Sequence, residues 1–504
     1  GLLRVLLYRP FPAAELRAAL PAMVRSLAVL DRTKEPGSVG EPLYQEALTA
    51  LVEGGGPLPE LYGGRYGLAS KEFTPAMAAG IFAALGAGAG ATPRHFTVGI
   101  VDDVSRSSLS YDRSFDTDRA SLRALVYGIG SDGSVSAAKQ LAKLAGEHAG
   151  RHAQAYFVYD SRKSGQMTVS HLRVGDEPIG STYLVSRANF IVCQQLGLLE
   201  RVDVLGPAER GATVLLASGH DPEALWDELP REVQQQVLER DLSLWVVDAE
   251  RVAREAGAGE RLSPVLLACF AELSGLLGAP GESRLAALES SVRKSYGQHG
   301  DSAVNASLRA LRAGAVALRR VRVPGVLTAT HGRRAAVPEG SNASEFVRRV
   351  TARMLDGEGD LLPVSAMPPD GTFPTGTARW DKRMLADVVP AWEPALCIDC
   401  GKCTVVCPHA AIRMKAYEAG ALAGAPEGFQ HKPFRGRELP GALLTIQLAP
   451  DDCTGCGLCV EACPAHERSN PSHRALAMEP VEKHRDSARA GFAFFEAIAS
   501  ADYT

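Results

Sequence analysis

The sequence predicts a multi-domain α/β protein, in which parallel-sheet domains are followed by a linker and then by a small α+β domain. Three observations predict this architecture. Apolar strands alternate with helical stretches over roughly the first 300 residues, a glycine-rich turn joins one strand to a helix, and eight of the ten cysteines lie in two runs of equal spacing. A chain of 504 residues is also too long for one hydrophobic core.

The first domain is predicted at residues 1–116 from its alternation of strands and helices. Apolar residues favour strands at 2–8, 26–31 and 96–101, and the stretch 12–20 has the composition of a helix. Because strands that alternate with helices form parallel sheets with crossover helices, we expect an α/β sheet in this part of the chain.

The second α/β domain is predicted at residues 117–310 and begins with a candidate phosphate loop. An apolar strand that includes Leu125 runs into the turn GIGSDG at residues 128–133, and residues 134–144 have helical periodicity. Glycines between a strand and a helix let backbone N–H groups and the helix dipole approach a phosphate closely. The motif alone is weak, and a purely structural glycine turn remains the alternative.

Charged residues at the end of the next predicted strand strengthen the ligand hypothesis. That strand spans residues 153–159 and is followed by Asp160, Arg162 and Lys163. In dinucleotide-binding folds an acid at this point meets the ribose, whereas neighbouring bases accommodate an additional phosphate. Both kinds of residue occur here, so a phosphate-bearing adenosine such as coenzyme A or NADP fits better than NAD.

The remainder of the second domain continues the α/β pattern. Strands are expected at residues 212–217 and 242–248, and helices at 222–239 and 262–277. Beyond residue 310 the periodicity gives way to a stretch with many arginines, alanines and prolines. We therefore assign residues 311–390 to a linker or small domain.

The two cysteine runs are the strongest local signal in the chain. Each has the pattern CxxCxxCxxxCP, at residues 397–408 and 453–464. This is the spacing of bacterial two-cluster ferredoxins, in which the fourth cysteine of each run ligates the other cluster. It predicts a ferredoxin-like domain at residues 391–485 with two [4Fe–4S] clusters. The predicted ligands are Cys397, Cys400, Cys403 and Cys463 for one cluster, and Cys453, Cys456, Cys459 and Cys407 for the other.

The same residues are open to two alternatives to iron–sulfur ligation. Paired CxxC elements also form zinc sites, but zinc has no use for the fourth Cys-Pro or for the twofold repeat. Disulfides are disfavoured because eight cysteines follow metal-type spacing. The remaining two, Cys193 and Cys269, lie in apolar segments and are interpreted as small buried hydrophobic residues.

The composition of the chain argues against some classes of partner and favours a reducing compartment. Charged residues make up 22% of the chain and the formal net charge is −4, which argues against nucleic acid or an anionic membrane as the main partner. No apolar stretch approaches the roughly 18 to 20 residues that a transmembrane helix needs. Thiolate clusters fit a reducing compartment, so a cytoplasmic location is expected.

Several long strings together resemble one family, the pyruvate:ferredoxin (flavodoxin) oxidoreductases. They are LDRTKEPG (30–37), GEPLY (40–44), GGRYGLASKEFTPAM (63–77), YGIGSDGSV (127–135), YFVYDSRKSG (156–165), VSHLR (169–173) and both cysteine runs. The resemblance implies oxidative decarboxylation of pyruvate with coenzyme A to acetyl-CoA and carbon dioxide. It also implies that the two electrons leave singly, through clusters, to ferredoxin or flavodoxin.

The resemblance further implies that this chain corresponds to the middle of such an enzyme. Residues 1–116 would be part of a transketolase C-terminal-like domain, 117–310 a gamma-type coenzyme A domain, and 486–504 a tail leading toward a further domain. Thiamine diphosphate and Mg²⁺ are expected on domains or subunits outside the chain, and the complete enzyme is expected to be a homodimer. No catalytic residue is assigned here, and alone the chain is expected to be catalytically incomplete.

For the loop at residues 128–133, the resemblance implies a coenzyme A site. Residues of the loop are expected to line the pyrophosphate, and the two bases after the next strand to lie near a phosphate of the adenosine. The cofactor-binding candidates are Gly130, Ser131, Asp132, Gly133, Ser134, Arg162 and Lys163. Two other functions remain open: the same chemistry on another 2-oxoacid, and an electron-transfer module that serves a different redox partner.

Overall fold

The chain divides into two units, each with its own core. The computed structural model describes residues 1–88, 90–130, 132–159, 167–279, 281–382 and 384–499. The first unit combines residues 1–121, 175–186 and 335–377, and the second combines 122–174, 187–334 and 378–504.

The first unit contains a small parallel sheet in the order β1-β2-β3. Helix α2 packs on it, and Tyr44, Ala47 and Leu51 of that helix share a buried cluster with Val29. The elements of its first segment are α1 (Ala13–Ala19), β1 (Ser26–Asp31), α2 (Pro42–Glu53), β2 (Glu60–Arg65), α3 (Pro75–Gly86) and β3 (His95–Thr97). The expected helix at 12–20 and strand at 26–31 are confirmed, and the strand expected at 96–101 is shorter and begins one residue earlier.

The strand expected at residues 2–8 is wrong. The segment has irregular backbone, and its apolar side chains are largely exposed, Leu2 and Leu6 by 84% and 81%. A strand is stable only where a neighbour accepts and donates its backbone hydrogen bonds, and none of the described strands pairs with this segment. Apolar composition alone therefore misled the prediction.

Two segments distant in sequence complete the first unit. The Glu72 carboxylate accepts a hydrogen bond from the Leu184 N–H at 3.0 Å, and Lys71 Nζ donates to the Asp360 carbonyl at 2.8 Å. The Asp103 carboxylate accepts from the Ser365 N–H at 3.0 Å. Much of the stretch expected to be a linker, 335–377, thus packs as part of this unit, and it includes the short helix α11 (Ala352–Leu355).

The second unit is built on a seven-stranded mixed sheet in the order β10-β9-β8-β7-β4-β6-β5. Strands β4, β7, β8 and β9 are parallel, whereas β6 and β10 run antiparallel to their neighbours β4 and β9. Its strands are β4 (Leu122–Ile129), β5 (His152–Tyr159), β6 (Met167–Gly175), β7 (Ala188–Cys193), β8 (Ala208–Ala217), β9 (Ser243–Val247) and β10 (Arg319–Arg320). Its helices are α4 (Ser134–Glu147), α5 (Leu225–Glu228), α6 (Arg231–Arg240), α7 (Ala249–Glu255), α8 (Ser263–Ser274), α9 (Glu282–Tyr296) and α10 (Asp301–Ala317).

The position of β5 differs from the dinucleotide-fold expectation. In that fold the strand after the first helix lies next to the first strand. Here β6 pairs with β4 instead and separates it from β5, which lies at the edge of the sheet. The dinucleotide analogy therefore does not hold for the position of β5 in the sheet.

Helix α8 forms the centre of this core and approaches α10 closely. Its residues from Ser263 to Ala271 are all buried. A Cβ at Gly314 of α10 would lie 2.8 Å from the Val265 carbonyl oxygen, so glycine lets the two helices touch. Cys193 and Cys269 are fully buried in this region, as expected, and burial raises the pKa of the Cys193 thiol to about 12. Helix α10 continues past residue 310, across the expected domain boundary.

The cysteine-rich part of the second unit has two antiparallel ladders, β11 with β15 and β12 with β14. Its elements are β11 (Val388–Trp392), α12 (Lys402–Val406), β12 (Ile412–Tyr417), β13 (Lys432–Pro433), β14 (Leu443–Leu448), α13 (Leu458–Glu461), β15 (Leu476–Pro480) and α14 (Arg485–Ala497). Helix α14, expected to be a tail, packs here: Phe492 and Phe495 are buried with Ala449. Within the described ranges, no helix combines the length and the apolar character needed to cross a bilayer.

Candidate metal centres and ligand loop

The two cysteine runs fold as a structural repeat. In each run a glycine with left-handed backbone, Gly401 at φ 67° and Gly457 at φ 74°, precedes a short helix that carries the third cysteine. Two residues earlier the backbone is left-handed again, at Asp399 (φ 64°) and Gly455 (φ 70°). Because this region favours glycine, an aspartate there needs other contacts to hold it.

The thiols fall into two groups of four. The pKa of Cys403 is raised to about 11, first by burial and then by negative charge on Cys397, Cys463 and Cys400. These are the four cysteines that the spacing assigns to one cluster.

The second group has the same character. The pKa of Cys459 is raised to about 12, first by burial and then by Cys453, Cys456 and Cys407. Each group therefore takes three cysteines from one run and the fourth from the other. Buried thiols of raised pKa stay protonated near neutral pH, so ligation has to release their protons.

The surroundings of these thiols fit an iron–sulfur cluster. A pocket in the second group is lined by all four of its cysteines and by the apolar side chains of Ile412, Leu448 and Met478. Soft thiolate donors with an apolar surround suit iron–sulfur clusters. Within the described residues, no set of three or more Cys, His, Asp or Glu side chains is arranged to hold a single metal ion.

A lysine from the segment between the two runs binds the first cysteine loop. Lys432 Nζ donates to the Cys397 carbonyl at 2.6 Å and to the Asp399 carboxylate at 2.5 Å, and Asp399 also accepts the Arg435 N–H at 3.0 Å. These contacts hold Asp399 in its left-handed conformation. From the sequence alone no functional residue is identified between the two cysteine runs, because a lone lysine in that segment follows no recognisable pattern.

The second run has a comparable ion pair that is more exposed. Lys382 Nζ lies 2.6 Å from Asp452, the residue before Cys453, with 37% and 30% of the two side chains exposed. For Lys432 and Asp399 the exposed fractions are 9% and 7%. The same charge pair therefore lies in two different dielectric surroundings.

The glycine loop joins β4 to α4, as the sequence predicts. Gly128 is required because a Cβ there would lie 2.2 Å from Ser134 Oγ. Gly133 precedes α4 with φ 83°, and a Cβ there would lie 2.8 Å from the Ser263 amide nitrogen. The loop thus approaches both its own side chains and helix α8 at distances that only glycine permits.

Asp132 is turned toward the backbone of its own loop. Its carboxylate accepts hydrogen bonds from the N–H of Ile129 at 2.7 Å and of Ser134 at 2.9 Å, and from Ser134 Oγ at 2.5 Å. Burial raises its pKa. The position favours a structural role for Asp132 and Ser134 over direct contact with a phosphate. Gly130 follows β4 in this loop, and Ser131, Arg162 and Lys163 lie outside the described residues.

A cavity of about 510 Å³ lies at the carboxyl ends of β7, β8 and β9. Its lining contains six carboxylates, among them Asp387 and Glu482, but only three arginines. Burial first, and then the charge of Glu482, raises the pKa of Asp387. An excess of carboxylates disfavours phosphates, so this cavity is a poor place for a polyphosphate ligand.

Comparison with known proteins gives three family matches. Residues 123–317 match the family described as pyruvate ferredoxin/flavodoxin oxidoreductase. Residues 333–386 match a domain of unknown function, and residues 396–466 match the 4Fe-4S dicluster domain. The second of these covers most of the stretch that sequence reasoning treated as a linker.

Individual relatives match over almost the whole chain. A putative pyruvate-flavodoxin oxidoreductase of Synechocystis is 48% identical over 498 residues, 98% of this chain and 41% of that protein. The pyruvate-flavodoxin oxidoreductase of Nostoc is 45% identical over 98% of this chain and 42% of its own length. A mitochondrial pyruvate dehydrogenase [NADP(+)] of Euglena gracilis is 38% identical over 92% of this chain and 26% of its own length.

This chain thus spans about two fifths of the length of the first two relatives. It combines the oxidoreductase family region with a 4Fe-4S dicluster domain that carries eight cysteines in two groups. Over nearly all of its sequence, the chain is a homologue of the pyruvate-flavodoxin oxidoreductases.

Proposed function

We propose that the chain supplies the electron relay and the coenzyme A domain of a pyruvate:ferredoxin or pyruvate:flavodoxin oxidoreductase. The observation that carries the proposal is the pocket lined by Cys453, Cys456 and Cys459 of the second run together with Cys407 of the first. The overall reaction converts pyruvate and coenzyme A to acetyl-CoA and carbon dioxide, and releases one proton and two electrons. A pair of one-electron centres suits an oxidation whose electrons must leave one at a time.

Within this proposal, the chain's own residues hold and shield the clusters. When bound, the two [4Fe–4S] clusters supply reversible one-electron transfer. Cys397, Cys403, Cys453 and Cys459 are buried, whereas Cys400 and Cys456 are exposed. Each group therefore has an interior side and a side that reaches the surface, which is the arrangement a relay between an internal donor and an external acceptor requires.

The glycine loop supports the coenzyme A part of the proposal. Gly130 and Gly133 lie between a buried strand and the amino end of the 14-residue helix α4, where backbone N–H groups favour an anion. The Asp132 carboxylate already accepts the N–H groups of Ile129 and Ser134, which leaves the other N–H groups of the loop for the pyrophosphate. The adenosine phosphate is assigned to Arg162 and Lys163, which follow β5 in the sequence. Titration calorimetry should show weaker coenzyme A binding for Arg162→Ala/Lys163→Ala, and unchanged affinity would overturn this assignment.

The remaining parts of the reaction are proposed to lie outside this chain. Thiamine diphosphate and Mg²⁺ would be held by further domains or subunits, and the complete enzyme would be a cytoplasmic homodimer. Electrons would pass to ferredoxin or flavodoxin. Adding those parts to the chain should give acetyl-CoA formation that depends on pyruvate.

A second function is favoured by one relative. The Euglena protein is named for NADP⁺ although it matches 92% of this chain, so similar relay domains occur in a protein named for another acceptor. An electron-transfer role toward a different acceptor is therefore the alternative. Reduction of the clusters by an unrelated reductase, without any dependence on a 2-oxoacid, would favour the electron-transfer alternative.

Iron and sulfide analysis of the anaerobically reconstituted chain tests the core of the proposal. Two cubane clusters predict about eight irons and about eight sulfides per chain. A chain that binds about two zinc ions and no sulfide would contradict it.

A further inference from the structure

Among the lysines of the cysteine-rich region, Lys432 has the least exposed side chain. It enters from the segment between β12 and β14, where β13 pairs with β14 and fixes its position. Its ammonium group binds the Cys397 carbonyl and the Asp399 carboxylate. The lysine thus contacts the backbone of one predicted cluster ligand and a side chain between two of them.

The pair Lys432–Asp399 is more buried than its counterpart in the second run, so its electrostatic effect on a nearby cluster is expected to be larger. Lys432 and Asp399 keep only 9% and 7% of their side chains exposed, against 37% and 30% for Lys382 and Asp452. Charges interact more strongly where water is excluded. A cluster gains one negative charge when it is reduced, so nearby buried charges shift its reduction potential.

We propose that Lys432 is a positioning residue that keeps the potential of the first cluster from falling. This inference rests on the proposed clusters and concerns the one held by Cys397, Cys400, Cys403 and Cys463. Lys432 neutralises Asp399, which would otherwise place an uncompensated carboxylate beside the reducible group. It also ties the loop that carries Cys397 to the segment between β12 and β14, so one contact sets both the charge and the position of that loop.

The test is an anaerobic redox titration of the reconstituted full-length chain, followed by electron paramagnetic resonance. Of the two midpoints, Lys432→Met should lower one and leave the other in place. At a fixed potential the reduced-to-oxidised ratio of that cluster should fall about tenfold, equivalent to ~59 mV for one electron. Asp399→Asn should shift the same midpoint upward, and the variant that combines both substitutions should return toward the parent value.

Two lysines of the same region provide matched controls. Lys382→Met removes the more exposed pair beside the second run and should change its ratio by less than about threefold, because solvent screens it. Lys415 Nζ donates to carbonyls of Phe495 and Ile498 and contacts no cysteine loop, so Lys415→Met should shift neither midpoint.

The outcomes separate this inference from the function on which it rests. A parent chain without iron and sulfide would refute the proposed clusters. Loaded clusters with unchanged midpoints in Lys432→Met and Asp399→Asn would refute only the role of Lys432, as would equal shifts of both midpoints. If the Lys432→Met chain does not incorporate the first cluster, the Asp399→Asn chain provides the test. The midpoint of the first cluster must then rise, and a midpoint that does not rise overturns the inference.

Discussion

The glycine loop and the cysteine loops both lead into a helix through a left-handed glycine, but they are held in different ways. In the loop before α4 the Asp132 carboxylate satisfies two backbone N–H groups and a hydroxyl. In the cysteine loops the buried groups are thiols, and burial raises the pKa of Cys453 to about 11. The polar groups of the glycine loop are thus satisfied by the protein's own hydrogen bonds. The thiols of the two cysteine loops, in contrast, gain their partners only when a cluster binds. Loss of a ligand should therefore matter far more in the cysteine loops than loss of one contact in the glycine loop.

The largest effect is expected from removing cysteines in pairs. Cys407→Ala/Cys456→Ala removes two ligands of one proposed cluster, so the chain should keep about four of about eight irons. Cys407→Ala/Cys400→Ala removes one ligand from each cluster and should leave little intact cluster of either kind. Iron and sulfide analysis after anaerobic reconstitution measures both variants.

This pair of variants tests whether the two runs exchange their fourth ligand. If each run instead held its own cluster, the outcomes would be reversed, because Cys407 and Cys400 lie in the same run. Cys193→Ala is the matched control, since this buried cysteine lies in the sheet core and should leave the iron content unchanged.

A smaller effect is expected at the glycine that begins α4. Gly133→Ala places a side chain at φ 83° and puts its Cβ 2.8 Å from the Ser263 amide nitrogen. Backbone strain and this close approach should together lower the free energy of unfolding by about 2 to 3 kcal/mol. Urea unfolding followed by tryptophan fluorescence of the sheet domain measures the change.

Gly150→Ala is the control for backbone strain without a close contact. Its φ is 63° and nothing lies within 4 Å of the added Cβ, so only about 1 kcal/mol should be lost. Equal losses at both positions would mean that the contact with α8 does not constrain the loop.

Sequence reasoning succeeded where the information is local. The strand, turn and helix around Gly128 were all predicted, and the two cysteine runs of equal spacing fold as a structural repeat. It failed where the answer depends on a distant neighbour. Residues 2–8 are apolar but have no pairing strand among the described residues, and β6 separates β5 from β4 although the sequence suggests direct adjacency. The roles of Asp132 and Lys432 follow from hydrogen bonds that no spacing rule encodes.

The smallest effect is expected from an exposed histidine that bridges the flanks of the first cluster group. His473 Nδ1 lies 2.9 Å from Glu467 and its Nε2 lies 2.8 Å from Glu393. Glu393 precedes Cys397 and Glu467 follows Cys463, so the imidazole joins the two segments that supply ligands to one proposed cluster. The hydrogen bond with Glu467, and then the charge of Glu393, raises the pKa of His473 above its usual value of 6.5.

The sign of the pH effect follows from that direction. A histidine whose pKa is raised in the folded state stabilises it fully below about pH 6.5 and loses this contribution as the pH rises through the folded-state pKa. The urea midpoint of the parent chain should therefore fall slightly more than that of His473→Gln between pH 6 and pH 9. His431→Gln, at another exposed position of the same region, should retain the parent's pH dependence. Parallel pH profiles for the parent and His473→Gln would mean that the bridge does not hold the two segments, and that this cluster group depends on its buried contacts alone.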